Sequence, residues 1–428
     1  MEIRGKKLPG IKTLLTSGLS YILCGNFLSK FVALLSSVLI ARLVDKNEYA
    51  YLSYADNLYS YISLFTGLGL SSALLVICTP DVTLGKQRNY LGKALKIGGL
   101  FEFVLSVLLC LVAQFIAIPF PEARKYIWAL LLYPLVTYLF TACQAFVRVK
   151  RNNKLYAGLG AAHTILVCVF SVLIVLLVGT MGVVAARYIA VLAVLAVAAN
   201  YLYGINKDIK SEKISSSELK AFLSTGIAMM FANVFSGMMP INEAFIVNNL
   251  IKDEILTANF KVAGIIPSML PIITSSVMVY YFPIVAAIKD YRVVKKKVWN
   301  IAMVNAVIII AVTAIGMLLT PVGIGLVYGA KYTDAATISY PLWIMRAVNA
   351  VVRMVPLNML AAIGRTKFNA VLSVFTCVVH AVLDYIFISM WSVNGIAYAA
   401  IIVYIISGII MWWYFNKSCD KLNTLKKD

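Results

Sequence analysis

The chain is poor in charge. Of its 428 residues only 13% are Asp, Glu, Lys or Arg, about half the share of an ordinary soluble domain. It has two histidines and no Cys-x-x-Cys or Cys/His ligand spacing, so neither a zinc site nor any other metal site is expected. Seven cysteines, Cys24, Cys78, Cys110, Cys143, Cys168, Cys377 and Cys419, are scattered, six of them inside apolar runs, and no disulfide framework is expected. Long polar stretches are missing as well. The longest connection between apolar runs lies between Gly204 and Glu218, too short to fold as a domain outside a membrane. What is present is apolar mass: 61% hydrophobic residues and a mean hydropathy of +0.88. So little polar surface cannot clothe a soluble enzyme of this size. Twelve helices of about 22 residues would occupy a similar share of the chain, which points to an all-α polytopic membrane protein.

Apolar runs between turn and charge clusters place the spans near 14–40, 50–78, 91–117, 125–147, 155–178, 182–203, 219–248, 256–287, 298–319, 335–362, 368–390 and 394–415. The run from Leu14 to Ile40 is too long for the core of a signal peptide and reads as a retained first helix. Net charge is +20, which in a soluble protein would suggest nucleic acid; here the bases follow membrane sidedness instead. On one side lie 27 Lys and Arg, on the other six: Arg42, Lys46, Arg124, Lys125, Lys252 and Lys331. The positive-inside rule then puts both termini in the cytoplasm.

The halves look related. Shifting the chain by 208 residues lays Thr16-Ser17-Gly18 on Ser224-Thr225-Gly226 and Asp45 on Asp253. Ala50 then falls on Ala258 and Ala55 on Ala263, few enough identities that chance alignment in apolar sequence stays open. Two six-helix bundles are expected, residues 1–210 and 211–428, with a central cavity between them as in transporters built from repeats.

With the loop-flanking bases set aside, five bases and four acids remain inside the spans: Lys30, Arg187, Lys261, Arg346 and Arg353 against Asp56, Glu102, Glu243 and Asp384. Each costs about 2.5–3.5 kcal/mol at a helix centre on insertion scales, so each needs a partner or a wet cavity. Arg346 and Arg353 are seven residues apart, two turns of one face, with Asn349 between them. Guanidinium forks suit a diphosphate; the alternative is that each pairs with an acid such as Glu243 or Asp384. Lys30, with Asn26 a turn earlier, is placed in the same cationic cavity or in a buried ion pair. Lys261 and Arg187 lie nearer the outer surface and are able to snorkel, and Arg42 sits at the outer end of span 1. The four acids fit either ion pairing or coupling to a cation; Asp384 follows His380 by one turn. Pro240, with Asn233 and Asn242 near it, marks an expected break or hinge in span 7.

Several stretches resemble a known family. Ile40-Ala41-Arg42-Leu43, Glu48-Tyr49-Ala50-Tyr51 and Gly67-Leu68-Gly69-Leu70 resemble the first hairpin of polysaccharide-export flippases. Val327-Tyr328-Gly329, Gly364-Arg365-Thr366-Lys367, Asp384 and Gly395-Ile396-Ala397 resemble that family's later motifs. Departures are Val44-Asp45-Lys46 where glycine-proline is usual, and Ala50 where glycine is usual. These flippases, which include those for O-antigen and teichoic acid, belong to the multidrug/oligosaccharidyl-lipid/polysaccharide exporter superfamily. The resemblance implies a cationic cavity open alternately to either side of the bacterial cytoplasmic (inner) membrane. It implies an oligosaccharide on undecaprenyl diphosphate as substrate, moved from inner to outer leaflet for cell-surface polysaccharide synthesis. Lys30, Arg346, Arg353, Lys261, Arg187 and Arg42 are then the candidate diphosphate-binding set. Expected partners are that lipid-linked substrate, membrane lipids and the polysaccharide polymerase machinery, with no nucleic acid. No cofactor is expected beyond a Na+ or H+ gradient. The competing reading is a cation-coupled multidrug exporter. An enzyme is not expected, since no nucleophile–base set stands out around His163 and His380.

Overall fold

The computed structural model of the protein describes residues 2–3, 6–7, 18–78, 82–286, 288 and 290–424. Apart from a short antiparallel pairing of Glu2–Ile3 with Lys6–Lys7, the described chain is helical. The chain divides into two compact units, Met1–Ile241 and Asn242–Asp428.

In the first unit, Gly18–Leu43 is followed by Lys46–Ser63, which resumes after a break as Leu70–Ile77. Then come Leu84–Phe115, Pro121–Val149, Asn153–Val178 and Met181–Asn206. The next helix, Ser216–Ile251, contains the division between the units. Its early part packs with the first unit: Phe222 sits in a core with Leu70, Leu74, Phe140, Phe146 and Val191. The second unit continues with Glu254–Ile265 and Leu270–Ala286, joined by a 3-10 turn at Pro267–Met269. Tyr291–Tyr328, Ala335–Ala362, Thr366–Trp391 and Asn394–Thr424 complete it. Its core joins Met278, Val298, Val355, Met359, Met411 and Phe415.

Among the described residues nine helices are long and apolar enough to cross a membrane. Gly18–Leu43, the broken second helix and Ser216–Ile251 occupy the other three expected spans. The outer faces fit that reading. Phe115, Leu177 and Leu318 are 84%, 81% and 80% exposed, an apolar surface that water would not tolerate and lipid would.

Helix starts are set by side chains that satisfy free N–H groups. Asp45 caps Lys46–Ser63, accepting from Asn47 N at 2.9 Å. Asp253 caps Glu254–Ile265, accepting from Leu256 N at 2.8 Å. The two aspartates related by the 208-residue shift thus do the same job. Pro240 does not break its helix, which runs without interruption from Ser216 to Ile251; neighbouring helices tolerate a missing N–H at membrane depth. Helices are interrupted elsewhere, and two of these irregular stretches, in spans 2 and 10, sit beside buried charge.

Candidate functional site

The first break is in span 2. Thr66, Gly67, Leu68 and Gly69 all have left-handed backbone, at φ 44°, 57°, 60° and 69°. Such a run is costly for the two residues with side chains, roughly 1–2 kcal/mol each. The glycines are needed on steric grounds as well. A methyl on Gly67 would lie 2.1 Å from Tyr138 Cε2, and one on Gly69 would lie 2.1 Å from the carbonyl oxygen of Gly226. Span 3 is distorted opposite this turn, with a π-helical segment at Ala94–Gly98. Tyr138 of span 4 fits between the two irregular turns and donates its hydroxyl to Ala94 O at 2.8 Å. The regular helix resumes at Gly99 with Glu102 in its first turn, and Gly67 N donates to Glu102 Oε1 at 2.6 Å. Glu102 is buried, and its Oε2 has no hydrogen-bond partner among the described residues.

A cavity of about 370 Å³ opens beside this turn, lined by Glu102, Thr66, Tyr133, Asp56 and Arg187 among others. Arg187 grips Asp56 with both arms of its fork, Nη1 to Oδ1 at 2.5 Å and Nη2 to Oδ2 at 2.9 Å. A base that the sequence allowed to snorkel and an acid that it allowed to couple are therefore partners 131 residues apart. Bidentate geometry at low exposure makes this one of the stronger ion-pair types.

The second unit gathers the other charges. Arg346 donates from Nη2 to Glu243 Oε2 at 3.0 Å, and Tyr404 donates its hydroxyl to Glu243 Oε1 at 3.5 Å. His380 Nε2 lies 4.0 Å from the same Oε1, and His380 Nδ1 lies 3.0 Å from Asp384 Oδ2. Arg353 lies over the Tyr404 ring, 5.7 Å from its centroid. Its Nε is buried without a hydrogen-bond partner among the described residues. The two arginines are not equivalent: Arg346 has a carboxylate and Arg353 has an aromatic face.

Between them span 10 is not straight. Asn349–Arg353 forms a π-helical segment, which places one extra residue in the turn and lags the following side chains by about 100°. Asn305, fully buried, props this segment by donating from Nδ2 to Ala350 O at 3.2 Å, and Thr274 donates to Asn305 Oδ1 at 2.9 Å. Asn349 Oδ1 is buried and without a partner among the described residues.

Of the remaining candidates, Lys30 and Arg42 are exposed and Lys261 is half-buried. The side chains of Asn26 and Asn233 lie outside the described residues. Thr66, Tyr138 and Tyr404 did not stand out in the sequence. The left-handed turn had a signal in Gly67-Leu68-Gly69; Tyr404, one aromatic among 24 tyrosines, had none.

A many-pass helical bundle broken at membrane depth beside buried charges is an architecture of membrane transporters, and solved structures match it over nearly the whole chain. The lipid II flippase MurJ, in an inward closed conformation, matches with a TM-score of 0.76 at 15% identity, covering 94% of this chain and 90% of that one. An inward-facing multidrug resistance MATE family transporter of the MOP superfamily matches with a TM-score of 0.68 at 14% identity, covering 92% and 96%. The chain belongs to the polysaccharide biosynthesis protein family, which matches residues 39–337. A protein of Shigella flexneri, provisionally named an O-antigen transporter, is 25% identical over 221 residues. That match takes in 51% of this chain and 52% of the relative, so it spans about half the length of the curated protein.

Proposed function

We propose that the protein is a flippase that moves an oligosaccharide on undecaprenyl diphosphate from the inner to the outer leaflet of the bacterial cytoplasmic membrane. It acts by alternating access, with both termini in the cytoplasm, and supplies a machinery that builds surface polysaccharide. It is a transporter and not an enzyme. The observation that carries this reading is Arg353. In a chain of the polysaccharide biosynthesis family, a guanidinium stands at membrane depth against an aromatic ring, with no carboxylate at salt-bridge distance among the described residues. A cation left without an acid in a low-dielectric site is ready to take an anion, and a diphosphate fits its fork. Arg346 supports the site through Glu243. A Na+ or H+ gradient drives the cycle, and Asp384 beside His380 is the acid best placed to take up the cation.

The experiment is mass spectrometry of polyprenyl-linked glycans in a strain lacking the gene, with their leaflet read by glycosidase access. One diphosphate-linked oligosaccharide should accumulate on the inner leaflet. The wild-type gene should clear it, and Arg353→Ala should not. An unchanged lipid-linked pool would overturn the reading in favour of a cation-coupled multidrug exporter.

A further inference from the structure

The cavity of the first unit has chemistry that diphosphate recognition leaves unused. Its cation, Arg187, is already neutralised by Asp56, and Glu102 adds a further carboxylate, so the lining carries no excess positive charge for a phosphate. What it offers instead is hydrogen-bond acceptors. Ser60, Ser63 and Thr141 donate their hydroxyl protons to the carbonyls of Asp56, Tyr59 and Thr137, at 2.7, 3.1 and 2.9 Å. Only their lone pairs are left to face the cavity that they line. Glu102, 2% exposed, leaves Oε2 without a partner among the described residues, and Thr66 Oγ1 is buried in the same condition. Polar groups in such positions are normally satisfied, here by something the cavity receives.

That ligand must be rich in donors, bear no negative charge, and have apolar faces to lie on Tyr133, Leu130 and Pro134. A sugar ring has these properties. The volume, about 370 Å³, falls in the range of about 300–1,000 Å³ typical of small-molecule sites and far exceeds what a bare cation needs. Access is available on the side of Ser63, which is exposed.

We propose that this cavity is a glycan subsite, holding one sugar unit of the lipid-linked oligosaccharide through hydroxyls that donate to Glu102 Oε2 and Thr66 Oγ1. The proposal rests on the flippase reading and deepens it. The left-handed turn has a role in it: by giving Gly67 N–H to Oε1, it holds the carboxylate in place and leaves Oε2 as the acceptor without a partner among the described residues.

The test is binding of two probes to the full protein in nanodiscs: the lipid-linked oligosaccharide purified from the strain lacking the gene, and undecaprenyl diphosphate alone. The wild type should bind the glycan-bearing lipid more tightly. Glu102→Gln keeps an oxygen for Gly67 N–H, and Thr66→Val keeps the shape while removing the hydroxyl. Each should weaken binding of the glycan-bearing lipid about tenfold and leave undecaprenyl diphosphate unchanged. Equal loss for both probes, no loss for either, or a wild type that does not discriminate between them would overturn the subsite while leaving the flippase standing. Dependence of Glu102→Gln binding on Na+ instead of on the glycan would make the cavity a cation site and would likewise overturn it. If neither probe binds the wild type, the flippase reading itself fails. Circular dichroism and a monodisperse elution of each variant separate a lost contact from a lost fold, with Thr66→Val as the milder change.

Discussion

Arg346 and Glu243 offer a perturbation whose size follows from geometry. The guanidinium donates to the carboxylate at 3.0 Å, and the two side chains are only 18% and 3% exposed. Replacing Arg346 by Met leaves Glu243 buried beside Asp384 and His380 without its strongest partner. Removing one member of a buried pair costs about 3–5 kcal/mol, whereas replacing both by apolar groups is often close to neutral. Arg346→Met should therefore lower the unfolding free energy in detergent micelles by about 3–5 kcal/mol. Glu243→Leu combined with Arg346→Met should recover most of that loss. Denaturant titration followed by tryptophan fluorescence reads both, and Arg353→Met is the control, since among the described residues no carboxylate is orphaned there. The comparison separates two roles that the sequence left open, a lock between helices and a ligand for phosphate. If Arg346→Met is as stable as the wild type, or if the double variant is no better than the single one, the pair does not hold the helices and the argument is wrong.

Gly69→Ala puts a methyl 2.1 Å from Gly226 O at φ 69°; it should abolish recovery of monodisperse protein, while Gly92→Ala, with open space around it, should be neutral or slightly stabilising. Lys86 donates to Glu218 at 2.7 Å on the basic side of the chain, and this contact, followed by the Ser215 N–H, holds the Glu218 carboxyl down at about 2 from an ordinary 4.5. A depressed acid stabilises the fold above its unfolded pKa and loses that contribution as pH falls through the folded one; the stability gap between wild type and Glu218→Gln should therefore be constant above about pH 5 and close as pH drops toward 2, a trend that a pH series of thermal melts would show or refute. Cysteine placed at Lys296 should react with an impermeant maleimide only from the cytoplasmic side and cysteine at Lys252 only from outside; the opposite pattern would reverse the orientation.

Much of the fold was legible because lipid imposes long apolar runs. Each of the twelve expected segments is mainly helical where described, and the aligned aspartates Asp45 and Asp253 both begin helices. The unreadable parts are departures from regular helix. A spacing of seven puts Arg346 and Arg353 on one face only if the helix is straight, and the π-helical segment at Asn349–Arg353 removes that premise. No residue in Asn-Ala-Val-Val-Arg announces it, and the side chain that holds it is distant in sequence, Asn305 donating to Ala350 O. Proline misled for a related reason. Pro240 advertises a break by local chemistry, yet its helix is continuous, while span 2 breaks at Thr66–Gly69 with no proline in the turn. Pairings across the bundle were hidden as well, because Arg187 and Asp56 have no common motif, only a common place.

Tyr138 also has a bearing on how this chain is able to change over time. Its ring occupies the space that a side chain at Gly67 would take, and its hydroxyl the space of one at Gly98, each within 2.1 Å of the missing methyl. Three positions on three different spans thus share one volume. None of them is free to grow alone, and a smaller residue at 138 would leave a void unless 67 or 98 enlarged to fill it. Relatives of this chain should therefore exchange bulk among these sites as a set, so that the summed side-chain volume at 67, 98 and 138 varies less than the volume at any one of them.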